Sequence, residues 1–238
     1  MTELIDTLKT VFSFVVVALT IILLIFLFYR KKWVTAQNKS LAKSLNFDYV
    51  DEVVELDSLG FSKLLFIRTE DGDVQFLMKR KFGNTQCFLF DYSFFYLKDA
   101  YANPHKRKTS SFNLRACTVV VFKISNRDIP NFTCHTRIQR KYNVNLSAMD
   151  GYSEIDFSAH PKFYELYSLE AEDDVEVRKI FNAEVIALLV SFKDSMPWGV
   201  NGSGEYIVFH RSRQFVGEKK SQFLLDSLNF LDVMKLRI

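Results

Sequence analysis

The chain has 238 residues, of which 48% are hydrophobic and 25% charged, with only 8 Gly and 4 Pro. This composition supplies enough apolar surface for a folded core and excludes a disordered chain. The formal net charge of +3 is too small to indicate a nucleic-acid-binding protein. The 24 Phe favour half-buried sheet surfaces and therefore a β-rich domain.

The first element is an uncharged apolar run from Val11 to Tyr29, interrupted only by Ser13 and Thr20. At about 1.5 Å per residue, a helix of this length is roughly 30 Å long, which matches the hydrocarbon thickness of a bilayer. The run therefore predicts one membrane-spanning helix.

Two alternatives to a membrane span are a buried core helix and a cleavable signal peptide. A core helix of a soluble domain would keep a polar stripe, and this run has none. A signal peptide would have a shorter apolar region, a basic N-terminal region and small residues after it, whereas this run is followed by bulky and basic residues. We therefore expect a permanent anchor.

Basic residues are concentrated on one side of the run. Arg30, Lys31 and Lys32 follow it directly, whereas Lys9 is the lone lysine before it. Because basic flanks favour the cytoplasmic side, we expect the rest of the chain to be cytoplasmic. We also expect Arg30, Lys31 and Lys32 to contact lipid headgroups.

The chain divides into four predicted segments. They are an N-terminal tail (1–10), the transmembrane anchor (11–32), a juxtamembrane helical stalk (33–50) and a soluble α+β domain (51–238). Cys87, Cys117 and Cys134 are odd in number and widely spaced, which favours reduced thiols over a disulfide framework.

Within the domain, β-prone runs come before amphipathic ones. Gly83-Asn84 predicts a hairpin turn between two strands, and two further strands are predicted in "FNLRACTVVVFKIS" and, after Pro130, in "NFTCHTRI". The stretch "DAYANPHKRKTSS" predicts a polar loop between the second and third of these strands. "WGVNGSGEYIVFHRS" predicts a turn followed by a strand.

Two amphipathic helices are expected. Asp173 is the predicted N-cap of the first, which runs to Phe192, and the second lies at the C-terminal end around Phe223 and Leu224. Strands grouped before helices indicate an α+β fold with a mainly antiparallel sheet after the transmembrane helix.

The stretch "EIDFSAHPKF" places Asp156 four residues before His160. Pro161 disfavours a helix at His160, and on a continuous strand the two side chains would stand about 13 Å apart. We expect a bend, in which Asp156 accepts hydrogen bonds from backbone amides and His160 packs or caps nearby, within a strand–bend–strand segment ending at Leu169. The alternative is an acid–base or metal site.

Other candidate motifs are weak. Cys134 and His135 are adjacent, but consecutive strand side chains point to opposite faces and chelate poorly. "GVNGSGEY" lacks the Lys-Ser/Thr of a phosphate-binding loop and continues into a strand. We expect no metal and no cofactor, and we retain His210 as a weak catalytic candidate beside Asp156 and His160.

Six short motifs follow one another along the chain. They are "FDY" (90–92), "TVVVF" (118–122), "IPNF" (129–132), "IDFSAHPKF" (155–163) with Tyr167, "VRKIF" (177–181) and "GEYIVFHR" (204–211). As an ordered series, they resemble a bacterial family of membrane-anchored proteins classed only as a domain of unknown function. The resemblance covers roughly Leu41 to Leu231, and some members have two spans before the domain, whereas this chain shows one. The resemblance implies a location at the bacterial inner membrane but no activity.

Two functions therefore remain open. The first is an interaction module, held by one membrane span, that binds a protein partner or the lipid surface and no nucleic acid. The second is a membrane-associated enzyme or small-ligand sensor with a site near Asp156 and His160.

Overall fold

The structure, a computed structural model, describes residues 2–51, 54, 59–61, 72–97, 112–137, 151–192, 198–212 and 214–236. The predicted polar loop "DAYANPHKRKTSS" lies almost entirely outside these residues. The helices are α1 (Thr2–Leu45), α2 (Pro161–Leu166), α3 (Asp174–Ile180), α4 (Ala183–Ser191) and α5 (Glu218–Val233). The strands are β1 (Asp48–Tyr49), β2 (Asp73–Phe82), β3 (Thr85–Leu97), β4 (Phe112–Ile124), β5 (Ile129–Thr136), β6 (Ser153–Glu154), β7 (Tyr167–Ala171), β8 (Trp198–Gly204) and β9 (Tyr206–Ser212).

Helix α1 is continuous through the apolar run and beyond it. Its apolar part has a mean hydropathy of 3.2, and none of that stretch is buried, so its length and composition fit a membrane span. Further along the same helix, Asn38, Leu41 and Ala42 are buried against the domain. Residues 33–45 of the predicted stalk (33–50) lie in α1, and the remaining residues include strand β1.

The end of α1 is fixed by its backbone. Asn46 has φ 57°, its N–H donates to the Lys43 carbonyl, and the Phe47 N–H donates to the Ala42 carbonyl. These two bonds form a Schellman motif. The Phe47 side chain is buried, so the motif directs the chain into the domain.

The nine described strands form one sheet in the order β1-β2-β3-β4-β9-β8-β5-β7-β6. Every described pair is antiparallel, which confirms the predicted α+β class. The predicted hairpin is also confirmed, because Phe82 pairs with Thr85 across Gly83-Asn84 and Gly83 has φ 54°.

The two faces of the sheet have different partners. One face packs against the helices and forms the main core around Trp198, Phe209, Phe223 and Phe230. The opposite face of β2, β3, β4 and β9 forms a second apolar cluster around Phe61. Alternation of side chains along each strand separates the two clusters.

The helices differ from the sequence-based prediction in two places. Asp173 caps α3 as predicted, accepting a hydrogen bond from the Glu176 N–H at 3.1 Å. The predicted single helix to Phe192 is instead two helices, because Asn182 starts α4 by accepting from the N–H groups of Glu184 and Val185. The Asn182 cap starts a new helix inside the stretch whose apolar periodicity predicted a single one.

The predicted strand after His160 begins only at Tyr167, where β7 starts, because helix α2 occupies Pro161–Leu166. Proline at the first helical position has a φ suited to a helix and lacks only an N–H that would be unpaired there. The predicted turn in "WGVNGSGEYIVFHRS" lies at Gly204-Glu205, where Ser203 pairs with Tyr206 and Gly204 has φ 56°, and the residues before it form strand β8. Gly202 faces the Phe132 ring so closely that a Cβ there would overlap it, so the glycine serves sheet packing.

We predict that Asn182→Ala lowers the free energy of unfolding by about 1 kcal/mol, since the first turn of α4 loses its acceptor. Urea titration of the full-length chain in detergent micelles measures the change. Asn182→Asp keeps the acceptor and is the matched control. An equal loss in both variants would contradict the capping role of this side chain.

Candidate functional site

A buried charged network joins α1 to the domain. The Lys220 ammonium donates to Asp91 Oδ2 at 3.0 Å and to Asn38 Oδ1 at 2.8 Å. The exposed fractions of Asn38, Asp91 and Lys220 are 0%, 1% and 0%. The network therefore connects the first helix, the middle of the sheet and the last helix.

Local structure places each member of the network. Asp91 lies on the helix-facing side of β3, on the same face as Leu89. It pairs in register with Thr118 of β4. The Thr118 hydroxyl donates to Asp91 Oδ1 at 2.7 Å and accepts from the Phe215 N–H at 2.8 Å. Both oxygens of the carboxylate are thus bonded, as a buried charge requires.

Electrostatics make this pair sensitive to the loss of either partner. Burial raises the pKa of Asp91 and lowers the pKa of Lys220, and the opposite charge of each partner acts against that shift. A buried pair can cost as much in desolvation as it gains, but a buried charge left alone is strongly destabilising. The network fixes the arrangement of its three elements more than it adds stability.

The predicted headgroup contacts lie just above this network. Arg30, Lys31 and Lys32 are exposed on α1, and the Lys32 ammonium lies 4.5 Å from the Phe28 ring centroid. Their position on α1 is compatible with the headgroup level of a bilayer around the apolar run.

A second polar cluster occupies the sheet face that turns away from the helices, on β5, β7, β8 and β9. His210, Gly199, His135 and Ser168 follow one another across these strands in register. The next row consists of Asn201, Thr133, Glu170 and Glu154.

The His210 imidazole lies over Gly199, where any Cβ would overlap the ring. Glycine is therefore required at this position by close approach rather than by backbone conformation. Burial, and to a lesser extent the nearby His135, lowers the pKa of His210 to about 3. His210 is consequently neutral at physiological pH, which suits a packed imidazole rather than a proton carrier.

Around the histidines, the polar groups bond to one another. The Asn201 amide donates to Thr133 Oγ1 at 3.0 Å, and Glu154 Oε1 accepts from Ser168 at 3.1 Å and from Arg137 at 2.7 Å. Within the part of the chain that the structure describes, no three His, Cys, Asp or Glu side chains converge as metal ligands.

Asp156 and His160 have separate partners. Asp156 Oδ1 accepts from the Ser158 N–H at 2.8 Å and Oδ2 from the Ser158 hydroxyl at 3.1 Å. The backbone bond and then the hydroxyl bond lower the pKa of Asp156. His160 directly precedes α2, and its N–H donates to the Phe157 carbonyl at 2.8 Å. This arrangement is a bend closed by an Asx turn.

The three weak catalytic candidates do not come together. Phe157 and Phe163, which flank His160, belong to the helix-side core, whereas His210 lies on the opposite face of the sheet. Cys134 and His135 likewise lie on opposite faces, because Cys134 belongs to the helix-side core while His135 lies in the polar row. Burial raises the pKa of all three cysteine thiols, which makes them poor nucleophiles.

The network around Lys220 was missed by the sequence analysis, although two signals were available. Asp91 is a lone acid in the apolar stretch "CFLFDYSFF", and Lys220 precedes Phe223 and Leu224 by three and four residues. That spacing places Lys220 on the apolar face of α5. A charge on each of two buried surfaces is a sign that the two charges pair.

We predict that Asp91→Asn lowers the free energy of unfolding by about 3–5 kcal/mol, because it leaves the Lys220 ammonium buried without its counter-charge. Asp91→Asn combined with Lys220→Met should lose less than Asp91→Asn alone. Chemical denaturation of the full-length chain in micelles measures both.

The exposed pair Lys123–Glu205 supplies the control, and Glu205→Gln should cost less than about 1 kcal/mol. A double variant as unstable as the sum of its two single variants would show that Asp91 and Lys220 are not coupled.

We predict that stability falls as pH drops from about 6.5 toward about 3, by up to about 1.4 kcal/mol per pH unit, because the unfolded chain protonates His210 while the folded chain resists it. His210→Asn should flatten that part of the pH profile. His135, Glu170 and Glu154 lie on the same face and remain in both proteins. Identical pH profiles would contradict the buried, neutral state of His210.

Comparison with known proteins gives one structural neighbour to consider. No family model and no curated protein sequence matches the chain. The crystal structure of the mycobacterial trehalose monomycolate transport factor A, TtfA, is similar with a TM-score of 0.60 and 11% sequence identity. The similarity covers 86% of this chain and 96% of that one. At this identity the likeness shows a shared fold.

Proposed function

We propose that this chain is a single-pass membrane protein whose α+β domain is held close against the bilayer and binds a partner protein there. The observation that carries the proposal is the continuity of α1. One helix is exposed and apolar over its first part and then enters the domain at Asn38, which bonds to Lys220.

The distance between membrane and domain follows from this continuity. Tyr29 ends the apolar run and Asn38 lies nine residues further on, which is about 14 Å along a helix. Val34 is already half-buried against the domain. The domain is therefore joined to the anchor without a flexible connection, and one side of it lies close to the lipid headgroups.

The location is the bacterial inner membrane, with the domain on the cytoplasmic side. The basic residues after the apolar run support this orientation. The buried, unbridged Cys87, Cys117 and Cys134 are compatible with a reducing compartment.

The structural neighbour supports a role in transport at a membrane. That neighbour is a transport factor, and we propose by analogy of fold that this chain is an accessory protein of a membrane transport system. We propose no enzyme or sensor site at Asp156 and His160, because these residues bond to local backbone and to Ser158.

Membrane fractionation tests the anchor. We expect the full-length chain to stay in the membrane pellet after an alkaline carbonate wash and to be released by detergent, since burial of the apolar run favours insertion. A chain found in the supernatant, or shortened by removal of a leader, would overturn the proposal.

A linker insertion tests the fixed placement of the domain. Twelve Gly and Ser residues inserted between Trp33 and Val34 should leave the chain in the membrane but abolish the specific cross-links that the wild-type chain forms in native membranes. The same linker added after Ile238 is the control and should keep the cross-links. Cross-links that survive both insertions, or none in the wild type, would contradict the proposed role.

A further inference from the structure

One face of α1 remains free after the helix enters the domain. Lys32, Ala36, Lys39 and Lys43 are separated by four, three and four residues and so lie along one side of the helix. Asn38 and Leu41 lie on the opposite side and are buried. The free face is thus a stripe of lysines that starts at the expected membrane interface and runs down to the domain.

Two surface hollows follow this stripe and share Lys39. The first lies at the membrane end, between Phe28 and Lys39, and includes Lys31 and Lys32. The second continues from Lys39 to the β1 strand, where Tyr49 and Phe47 form its wall. Together they form one trough, apolar at the membrane end and basic along its length.

Charge complementarity indicates the kind of ligand. Among the residues that the structure describes, Lys31, Lys32, Lys39 and Lys43 line the two hollows together with one acid, Asp51. Lys39 pairs with Asp51 at 2.7 Å, but their side chains are 48% and 67% exposed. Such an exposed pair is weak and exchanges readily, so Lys39 is available to a stronger anion.

We infer that this trough binds the headgroup of an anionic phospholipid. The inference rests on the proposed membrane span. Phe28 lies one residue before the end of the apolar run and contacts the start of an acyl chain. Lys32 and Lys39 bind the phosphate and the outer part of the headgroup. These two lysines are about 10 Å apart along the helix axis, which is the span of a phosphate with its attached headgroup. The bound lipid fixes the domain to the membrane from the side opposite to the Lys220 network.

Lipid titration of the purified full-length chain in detergent micelles tests the inference. Phosphatidylglycerol should bind, and phosphatidylcholine should bind at least tenfold more weakly. Each lysine near a membrane surface changes binding about fivefold, so Lys39→Gln with Lys43→Gln should weaken phosphatidylglycerol binding about twentyfold.

Lys79→Gln with Lys81→Gln is the matched control. It removes the same charge from exposed positions on β2, on the sheet face away from α1, since Lys79 pairs with Phe88 of the second apolar cluster. This control should bind phosphatidylglycerol as the wild type does. Equal weakening in both double variants would overturn the inference, because it would show attraction by net charge alone. Thermal unfolding of each variant checks that its fold is retained.

Competition with inorganic phosphate tests whether the trough binds a lipid headgroup or a free phosphate ion. Millimolar phosphate should leave phosphatidylglycerol bound, because the lipid also contacts Phe28. Displacement by phosphate alone would overturn the lipid assignment. A chain that resists carbonate extraction but binds both lipids equally would overturn this inference and leave the proposed function intact.

Discussion

The arrangement of the molecule depends on one buried ion pair, between Lys220 and Asp91, and on Asn38 Oδ1, which accepts a second hydrogen bond from the Lys220 ammonium. The three residues come from the first helix, the centre of the sheet and the last helix. Taking two charges out of water is costly, and the energy is recovered only when their geometry and remaining bonds are complete. Alternative placements of α1 on the domain would leave a buried charge without its full set of partners, and they are therefore disfavoured.

This constraint gives α1 two environments along one continuous helix. The part from Val11 to Tyr29 has only apolar and hydroxyl side chains, and Thr20 bonds back to the Val16 carbonyl, so every group in it tolerates hydrocarbon. The part from Val34 onward has one buried face and one lysine-bearing face. A domain attached in this way keeps a fixed height and orientation, which a Gly- or Ser-rich linker would not provide. The proposed partner and headgroup contacts require surfaces whose distance from the bilayer is fixed, and this attachment supplies them.

The two halves of the sheet have different side chains on the face that points away from the helices. Around Phe61 the face is aromatic and apolar, whereas from His210 to Glu154 it is polar, and much of it is nevertheless buried. A buried polar face restricts side-chain orientation through hydrogen bonds such as that from Asn201 to Thr133. The low pKa of His210 follows from this packing. Perturbed pKa values often mark functional sites, but structural packing produces the same perturbation, and here the described geometry favours packing.

The sequence by itself determined the features that depend on local chemistry. The apolar helix, the Gly83-Asn84 hairpin, the Asp173 cap and the separation of Cys134 from His135 follow from composition, turn preference, capping and strand alternation. Only the tertiary structure decided the sheet order, the division of the helix at Asn182 and the pairing of Lys220 with Asp91 and Asn38. Sheet order depends on contacts between residues up to 93 positions apart, and the charge pairing depends on contacts 129 and 182 positions apart. No local pattern specifies which distant partner a strand or a charge will meet. The apolar periodicity across Asn182 was equally compatible with one helix or two, and packing of both onto the same core selected two.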